Sequence, residues 1–341
     1  MKGWRVALSL LLAAGLLLLF FRGVDWSAMG RALRAADPLY LTGVVLVTLA
    51  TYAARAWRWG FLLAPLARVP FMHLFSATFV GFMSGMLIPR AGEVVRPYLI
   101  ARNHPVSTSA GFASIVLERL VDLITVLLLF ALYLYVLPMP DAQTRGPLLG
   151  VLKVAGAAAG AGALVILGVL LAWHRHADRA MTLADRLLRP FPERFAAAVA
   201  RGVRSFGEGL AVLKASPSHL AAILGQSLVV WLLLALSIYW NNRAFGLDLP
   251  FHTAFLILAF LTVGVAIPTP GTVGGFHAFY RAALTEAYGV DNDVAAAAGI
   301  ASHALGNLPV LLLGLAFLGR EGLTVGKVAK MSEAKMSEAR T

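Results

Sequence analysis

Apolar residues run along this chain in long blocks, without the polar interleaving of a soluble fold. Blocks long enough to cross about 30 Å of hydrocarbon, roughly 20 residues each, begin at Val6, Leu39, Phe112, Val151, Leu220 and Val294. Two shorter blocks begin at Phe71 and Phe251, and each runs into a break: IPRAGEVVRP at 88–97 and IPTPGTVGGFH at 267–277. The pattern predicts an all-α polytopic membrane protein, a helical bundle of about six full spans. Non-helical backbone at membrane depth is tolerated only where it is buried in protein or lines a cavity, so the two breaks point to a substrate site.

Charge orders these blocks into a topology. The N-terminal MKGWR run and the basic loop at 174–218 are placed in the cytoplasm by the excess of Lys and Arg on that side of membrane proteins. Val6 to Phe21 then leads out as an uncleaved first span, and Leu39 to Leu63 leads back, its inner end marked by Arg55, Arg58 and Arg68. Between them WSAMGRALRAAD reads as an interfacial amphipathic helix. The nearly neutral loop at 138–147 falls outside. Parity makes 71–104 a re-entrant hairpin with its tip at Ile88-Pro89-Arg90. The same count from the C-terminal side makes 251–288 a second one, with its tip at Pro268-Thr269-Pro270-Gly271. The two dip from opposite faces, about 180 residues apart, which is the pattern of an inverted repeat. Residues 1–326 form one transmembrane domain with halves at 1–148 and 219–320, both termini are cytoplasmic, and 327–341 is a disordered tail.

Composition agrees with this class. Of 341 residues, 59% are hydrophobic and 13% charged, where a soluble domain is roughly a quarter charged. The absence of cysteine removes disulfides, thiolate metal sites and cysteine nucleophiles. The net charge of +12 is explained by membrane orientation and contact with anionic lipid, since the basic residues lie between spans and no nucleic-acid module accompanies them. The expected home is the cell membrane, with no nucleic-acid partner.

Candidate chemistry gathers at the breaks. The first carries Arg90, Glu93 and Arg96, with Pro89, Gly92 and Pro97 shaping the backbone. Two arginines beside one glutamate leave positive charge suited to a phosphate, which a guanidinium fork meets in plane. Topology marking explains the same arginines, though not Glu93. In SIVLERLVDLITVLLLF, Glu118, Arg119 and Asp122 interrupt an apolar span, and ionisable residues there face a cavity or partner charges. Glu118 and Asp122 are four apart and share a face, with Arg90, Arg96 or Arg119 as counter-ions. An ion-pair network pinning hairpin to span is open to these residues as well as a substrate site. The second break supplies Pro268, Pro270, Gly271, Gly274 and Gly275, then His277 and Arg281 on a short helix whose free N–H groups attract an anion. His277 also fits a hydrogen-bonded packing role. His303 and Asn307, four apart, read as interhelical hydrogen-bonding groups. No metal-ligand spacing, P-loop, nucleophile elbow or dinucleotide fingerprint occurs, so no cofactor, metal site or catalytic constellation is expected.

With these residues in place, the chain resembles the lysylphosphatidylglycerol synthase transmembrane-region family, the membrane half of the multiple peptide resistance factor proteins and their stand-alone relatives. The resemblance covers nearly the whole chain. It rests on PRAGEVVR, with Pro89, Arg90, Gly92, Glu93 and Arg96; on E-R-x-x-D at Glu118, Arg119 and Asp122; and on the late P-x-P-G segment. It implies a bundle with inverted halves and re-entrant hairpins that moves phospholipids, such as aminoacylated phosphatidylglycerol, between leaflets. Thr272 stands where the family commonly has a second Gly, and His277 where it commonly has Glu. The soluble aminoacyl-transferase domain of fused members is not among these 341 residues, so synthesis of the lipid is not expected.

The leading expectation is a phospholipid translocase in which Arg90, Arg96 and Arg119 receive the lipid phosphate and Glu93, Glu118 and Asp122 position them. A secondary transporter for a small anionic solute, and a non-transporting subunit that presents a lipid-linked sugar carrier to a glycosyltransferase, are the alternatives. Membrane phospholipids are the expected partners, with a second copy of the chain or a lipid-modifying enzyme as protein partners.

Overall fold

The computed structural model describes residues 3–88, 91–138, 153–166 and 216–324, with single positions at 150, 168, 186, 326 and 327. Pro89 and Arg90, most of the loop at 138–147, nearly all of the basic loop at 174–218 and all but the first residue of the tail lie outside the described residues.

All regular structure among the described residues is helical. In chain order the helices are α1 (Gly3–Phe21), α2 (Trp26–Ala35), α3 (Pro38–Leu63), α4 (Phe71–Leu87), α5 (Ala91–Asn103), α6 (Thr108–Tyr135), α7 (Lys153–Ile166), α8 (Pro217–Ala244), α9 (Thr253–Ala266), α10 (Gly275–Tyr288) and α11 (Asn292–Arg320). Short polar residues set their starts. Asp25, Asp37, Ser107, Ser216 and Asp291 cap α2, α3, α6, α8 and α11, each side chain accepting from backbone N–H groups of the first turn. Pro38 and Pro217 follow two of these caps, where a missing N–H costs nothing.

Each expected apolar block folds as a helix, and they differ in how far they reach. By length and composition α3, α8 and α11 suffice to cross a membrane, with a fourth span if α1 and α2, bent by 85° at residues 22–25, are counted together. The 28 residues of α6 are long enough, but they carry Glu118, Arg119 and Asp122. The described part of α7 is 14 residues. The bend after α1 brings the amphipathic α2 against the start of α11, where Met29 is buried with Ala296 and Ala297.

The two broken segments fold as hairpins, α4 with α5 and α9 with α10. Their arms are 17, 13, 14 and 14 residues, or about 20 to 26 Å at 1.5 Å per residue, short of the roughly 30 Å of hydrocarbon. Proline ends the entering arm in both. Ile88 and Ile267, each preceding a proline, are extended, as the clash with the proline ring requires. Glycine then lets the arms touch backbone to backbone. A Cβ on Gly92 would lie 2.3 Å from the Gly81 carbonyl oxygen, and one on Gly275 would lie 2.2 Å from that of Gly264. Gly264 and Gly275 follow Gly81 and Gly92 by the same 183 positions. A single crossing geometry is used twice.

α6 joins the two hairpins. Ile115, Leu117, Val121 and Ile124 pack in a core with Trp59, Val80, Val95 and Leu99 around the first hairpin. Val126, Phe130, Tyr133 and Leu134 pack with Leu256, Ile257, Tyr280 and Leu284 around the second.

Candidate functional site

A buried charge network lies between α3, α5, α6 and α8. The four-residue spacing of Glu118 and Asp122 puts both carboxylates on one face of α6, and the chain meets them with arginines from two other helices. Arg96 of α5 forms a two-pronged pair with Glu118, both N–O distances 3.0 Å. Arg58 of α3 forms another with Asp122 at 2.6 and 3.2 Å, approaches Glu118 at 3.6 Å and donates to the Ser227 hydroxyl of α8 at 2.8 Å. The Trp231 indole N–H adds a bond to Asp122 at 3.1 Å. Arg58 and Glu118 are wholly buried and Arg96 nearly so. Charges this deep persist only when paired with good geometry. The Trp59 ring lies under the Arg96 guanidinium at 4.3 Å, and its indole N–H is held by Ser114 at 2.9 Å. Gly81 makes the Arg96 pair possible, since a Cβ there would meet Arg96 Cγ at 2.2 Å.

A cavity of about 470 Å³ opens in front of this network, within the usual range for small-molecule sites. Its polar lining comes from Thr48, Thr51 and Tyr52 of α3, Glu93 and Arg96 of α5, and Arg119 of α6, with Phe82 of α4 among them. Apolar lining comes from Leu234 and Ile238 of α8 with Leu258 and Val265 of α9, and Ser302 and Asn307 of α11 add polar groups. Both breaks reach it: Gly85 and Met86 end the first entering arm, and Gly271 and Thr272 form the turn of the second. One chamber is therefore shared by the two interruptions.

The sequence-predicted residues divide into three groups. Glu93, Arg96, Arg119, Gly92 and Gly271 line the cavity, while Glu118 and Asp122 sit behind it in the ion-pair network. Arg96 takes Glu118 as its carboxylate, not Glu93, and Glu93 faces the cavity with no ion pair or hydrogen bond to its side chain among the described residues. Gly274 and Gly275 serve packing. A Cβ on Gly274 would press on the Ala13 carbonyl of α1. Pro268 is exposed, and Pro270 opens the turn.

His277 and Arg281 are engaged elsewhere. His277 is 8% exposed, packed against the rings of Phe20 at 5.3 Å and His303 at 4.4 Å. His303 in turn meets the Gly271 carbonyl at 2.9 Å, tying α11 to the second break, and Asn307 donates back to the His303 carbonyl at 2.8 Å. The Arg281 guanidinium donates to the carbonyls of Leu19, Phe20 and Arg22, satisfying the open C-terminal end of α1.

Arg55 and Arg58 belong to the site although their sequence position suggests topology markers. The signal for them is the three-residue spacing on one face of an apolar span, opposite two carboxylates four apart on another. Thr272 explains a departure from the family pattern. It holds φ 58, a left-handed conformation that strains a β-branched residue and that glycine adopts freely.

The family model described as the lysylphosphatidylglycerol synthase TM region matches residues 6–314. The chain belongs to this family. As a member of the lysylphosphatidylglycerol synthase transmembrane-region family it is a multi-pass membrane protein, and its match takes in both hairpins, the charge network and the cavity. It is similar to a UPF0104 membrane protein of Methanothermobacter thermautotrophicus, 23% identical over 310 residues covering 87% of this chain and 89% of that protein. It is also similar to the glycosyltransferase AglD of Haloferax volcanii, 25% identical over 346 residues covering 91% of this chain. The aligned stretch is 54% of AglD, so the chain spans about half the length of that relative.

Proposed function

We propose that this chain translocates phospholipids between leaflets, with the headgroup passing through the shared cavity and the acyl chains left in the bilayer. The observation that carries the reading is the cavity's mixed lining: arginine, glutamate and hydroxyl groups together with Leu234, Ile238, Leu258 and Val265. An amphiphile fits such a chamber. A phosphate in hydrocarbon is costly, and a polar recess that takes only the headgroup lowers that cost without drawing the tails into water. Glu93 offers an acceptor to a hydroxyl or ammonium of the headgroup, so aminoacylated phosphatidylglycerol is within its range.

The short arms and matching glycine crossings support two re-entrant hairpins in inverted halves; the six-span bundle with both termini and the basic loop in the cytoplasm rests on the hydrophobic and charge pattern of the sequence. In this reading the chain is a carrier and not an enzyme, and its partners are the phospholipids around it. The test is leaflet exchange of headgroup-labelled phospholipids in liposomes holding the purified protein, run beside uptake of labelled inorganic phosphate. Lipid exchange without phosphate uptake is expected. Phosphate uptake without lipid exchange would replace the reading with solute transport.

The similarity to a protein named a glycosyltransferase favours one second reading, a subunit that presents a lipid-linked sugar carrier to such an enzyme. Its mark is a co-purifying transferase together with no exchange by the chain alone.

A further inference from the structure

The charge network is unequal: Arg55, Arg58, Arg96 and Arg119 surround two carboxylates, Glu118 and Asp122. Two of the arginines are committed, since Arg96 and Arg58 each hold a carboxylate with both prongs of the guanidinium. The other two are not. Arg119 is exposed on the cavity wall, with no carboxylate within ion-pair distance among the described residues. Arg55 is 8% exposed, its approach to Asp122 is 3.5 Å on a carboxylate already gripped by Arg58, and its Nη1 is buried without a hydrogen-bond partner. That ion pair leaves Arg55 Nη1 without a hydrogen bond, and a buried donor left so is unfavourable.

Both uncommitted arginines converge on one place. Their guanidinium carbons lie 5.3 and 5.7 Å from the centre of the same Phe82 ring, which the Arg96 guanidinium also approaches at 5.5 Å. Tyr52, one turn before Arg55 on α3, meets that ring edge-on at 4.9 Å, lines the cavity and carries a hydroxyl with no hydrogen bond among the described residues.

We infer that Tyr52 and Arg119 bind the phosphate in this cavity, that Arg55 supplies positive potential from behind Phe82, and that Arg96 and Arg58 are structural. This rests on the cavity being the substrate site. Of the arginines expected to receive the phosphate it sets Arg96 aside and keeps Arg119, joined to Tyr52, 67 positions away in the sequence. The ligand is a phosphate ester or phosphate itself. Arg119 offers a planar fork and Tyr52 a neutral donor, a combination that favours an oxyanion.

The test is equilibrium binding to the purified protein in detergent micelles, with no transport involved. The probes are phosphatidylglycerol, diacylglycerol with the same chains, and inorganic phosphate. Tyr52→Phe keeps the ring and its packing, so it folds, and it should weaken phosphatidylglycerol about tenfold, as expected for a lost hydrogen bond to a charged group. Arg119→Gln should weaken it further. Diacylglycerol binding should not change in either. Parallel losses for inorganic phosphate would identify the phosphate group alone as the recognised feature, and losses for phosphatidylglycerol only would identify the lipid headgroup. Either supports the subsite. Unchanged phosphatidylglycerol binding in both folded variants would overturn it, as would equal losses for diacylglycerol. Phosphate-dependent binding in a protein that never exchanges lipid would keep the subsite and remove the translocase reading; exchange with binding unaffected by both variants would do the reverse.

Discussion

Arg58 has no exposed surface, holds Asp122 with both prongs and approaches Glu118, so its removal takes the closest partner from Asp122 inside the bundle. Breaking a buried pair from one side costs about 3–5 kcal/mol. Arg58→Ala should therefore lower the thermal stability of the purified protein far more than Arg34→Ala on exposed α2, and equal melting temperatures would contradict the structural role given to Arg58. Thr272 makes the opposite prediction. Its left-handed backbone costs on the order of 1–3 kcal/mol in a non-glycine residue, so Thr272→Gly should raise stability, by about 1 kcal/mol once the added flexibility of glycine in the unfolded chain is set against the relief. A lower melting temperature for that variant would show that the Thr272 hydroxyl, bonded to the Gly271 carbonyl, outweighs the strain. At this scale the sequence shows Glu118, Arg119 and Asp122 well, because an ionisable group in an apolar block has few reasons to be there. It hides Arg55 and Arg58, whose place near a span's end imitates an orientation signal. It also gives no warning that Arg281 would turn away to the carbonyls of α1.

The hairpins depend on glycine in a way that can be read from spacing only after the arms are seen to cross. Proline and glycine announce a break, and the chain does break after Leu87 and Ala266. Nothing local, however, says that Gly81 faces Gly92 or that Gly264 faces Gly275, because each contact joins residues eleven apart across a turn. Gly92→Ala and Gly275→Ala place a methyl against backbone at 2.3 and 2.2 Å, which cannot rotate aside, so the arms must part. Overpacking of this kind costs about 1–3 kcal/mol. Both variants should melt lower and exchange lipid more slowly than Gly85→Ala, whose nearest atom is 3.8 Å away. If all three behave alike in melting and exchange, the crossings do not hold the hairpins together.

Across the whole molecule, hydrophobic blocks alone give the helices of the described residues, and the family match runs over residues 6–314. The chamber is less legible, since its lining comes from α3, α4, α5, α6, α8, α9, α10, α11 and the second turn, and only packing brings those together. The central claim is that lipid headgroups pass through this chamber, and the chain's lack of cysteine makes it directly testable. Ser237 lines the cavity from α8, and Lys327 is exposed at the far end of the described chain. The measurement is leaflet exchange by the Ser237→Cys protein in liposomes before and after modification with a charged methanethiosulfonate, with Lys327→Cys treated in the same way. Exchange that stops on modification at 237 and continues on modification at 327 is the predicted result. Exchange that proceeds unchanged with residue 237 fully modified would contradict passage through the chamber.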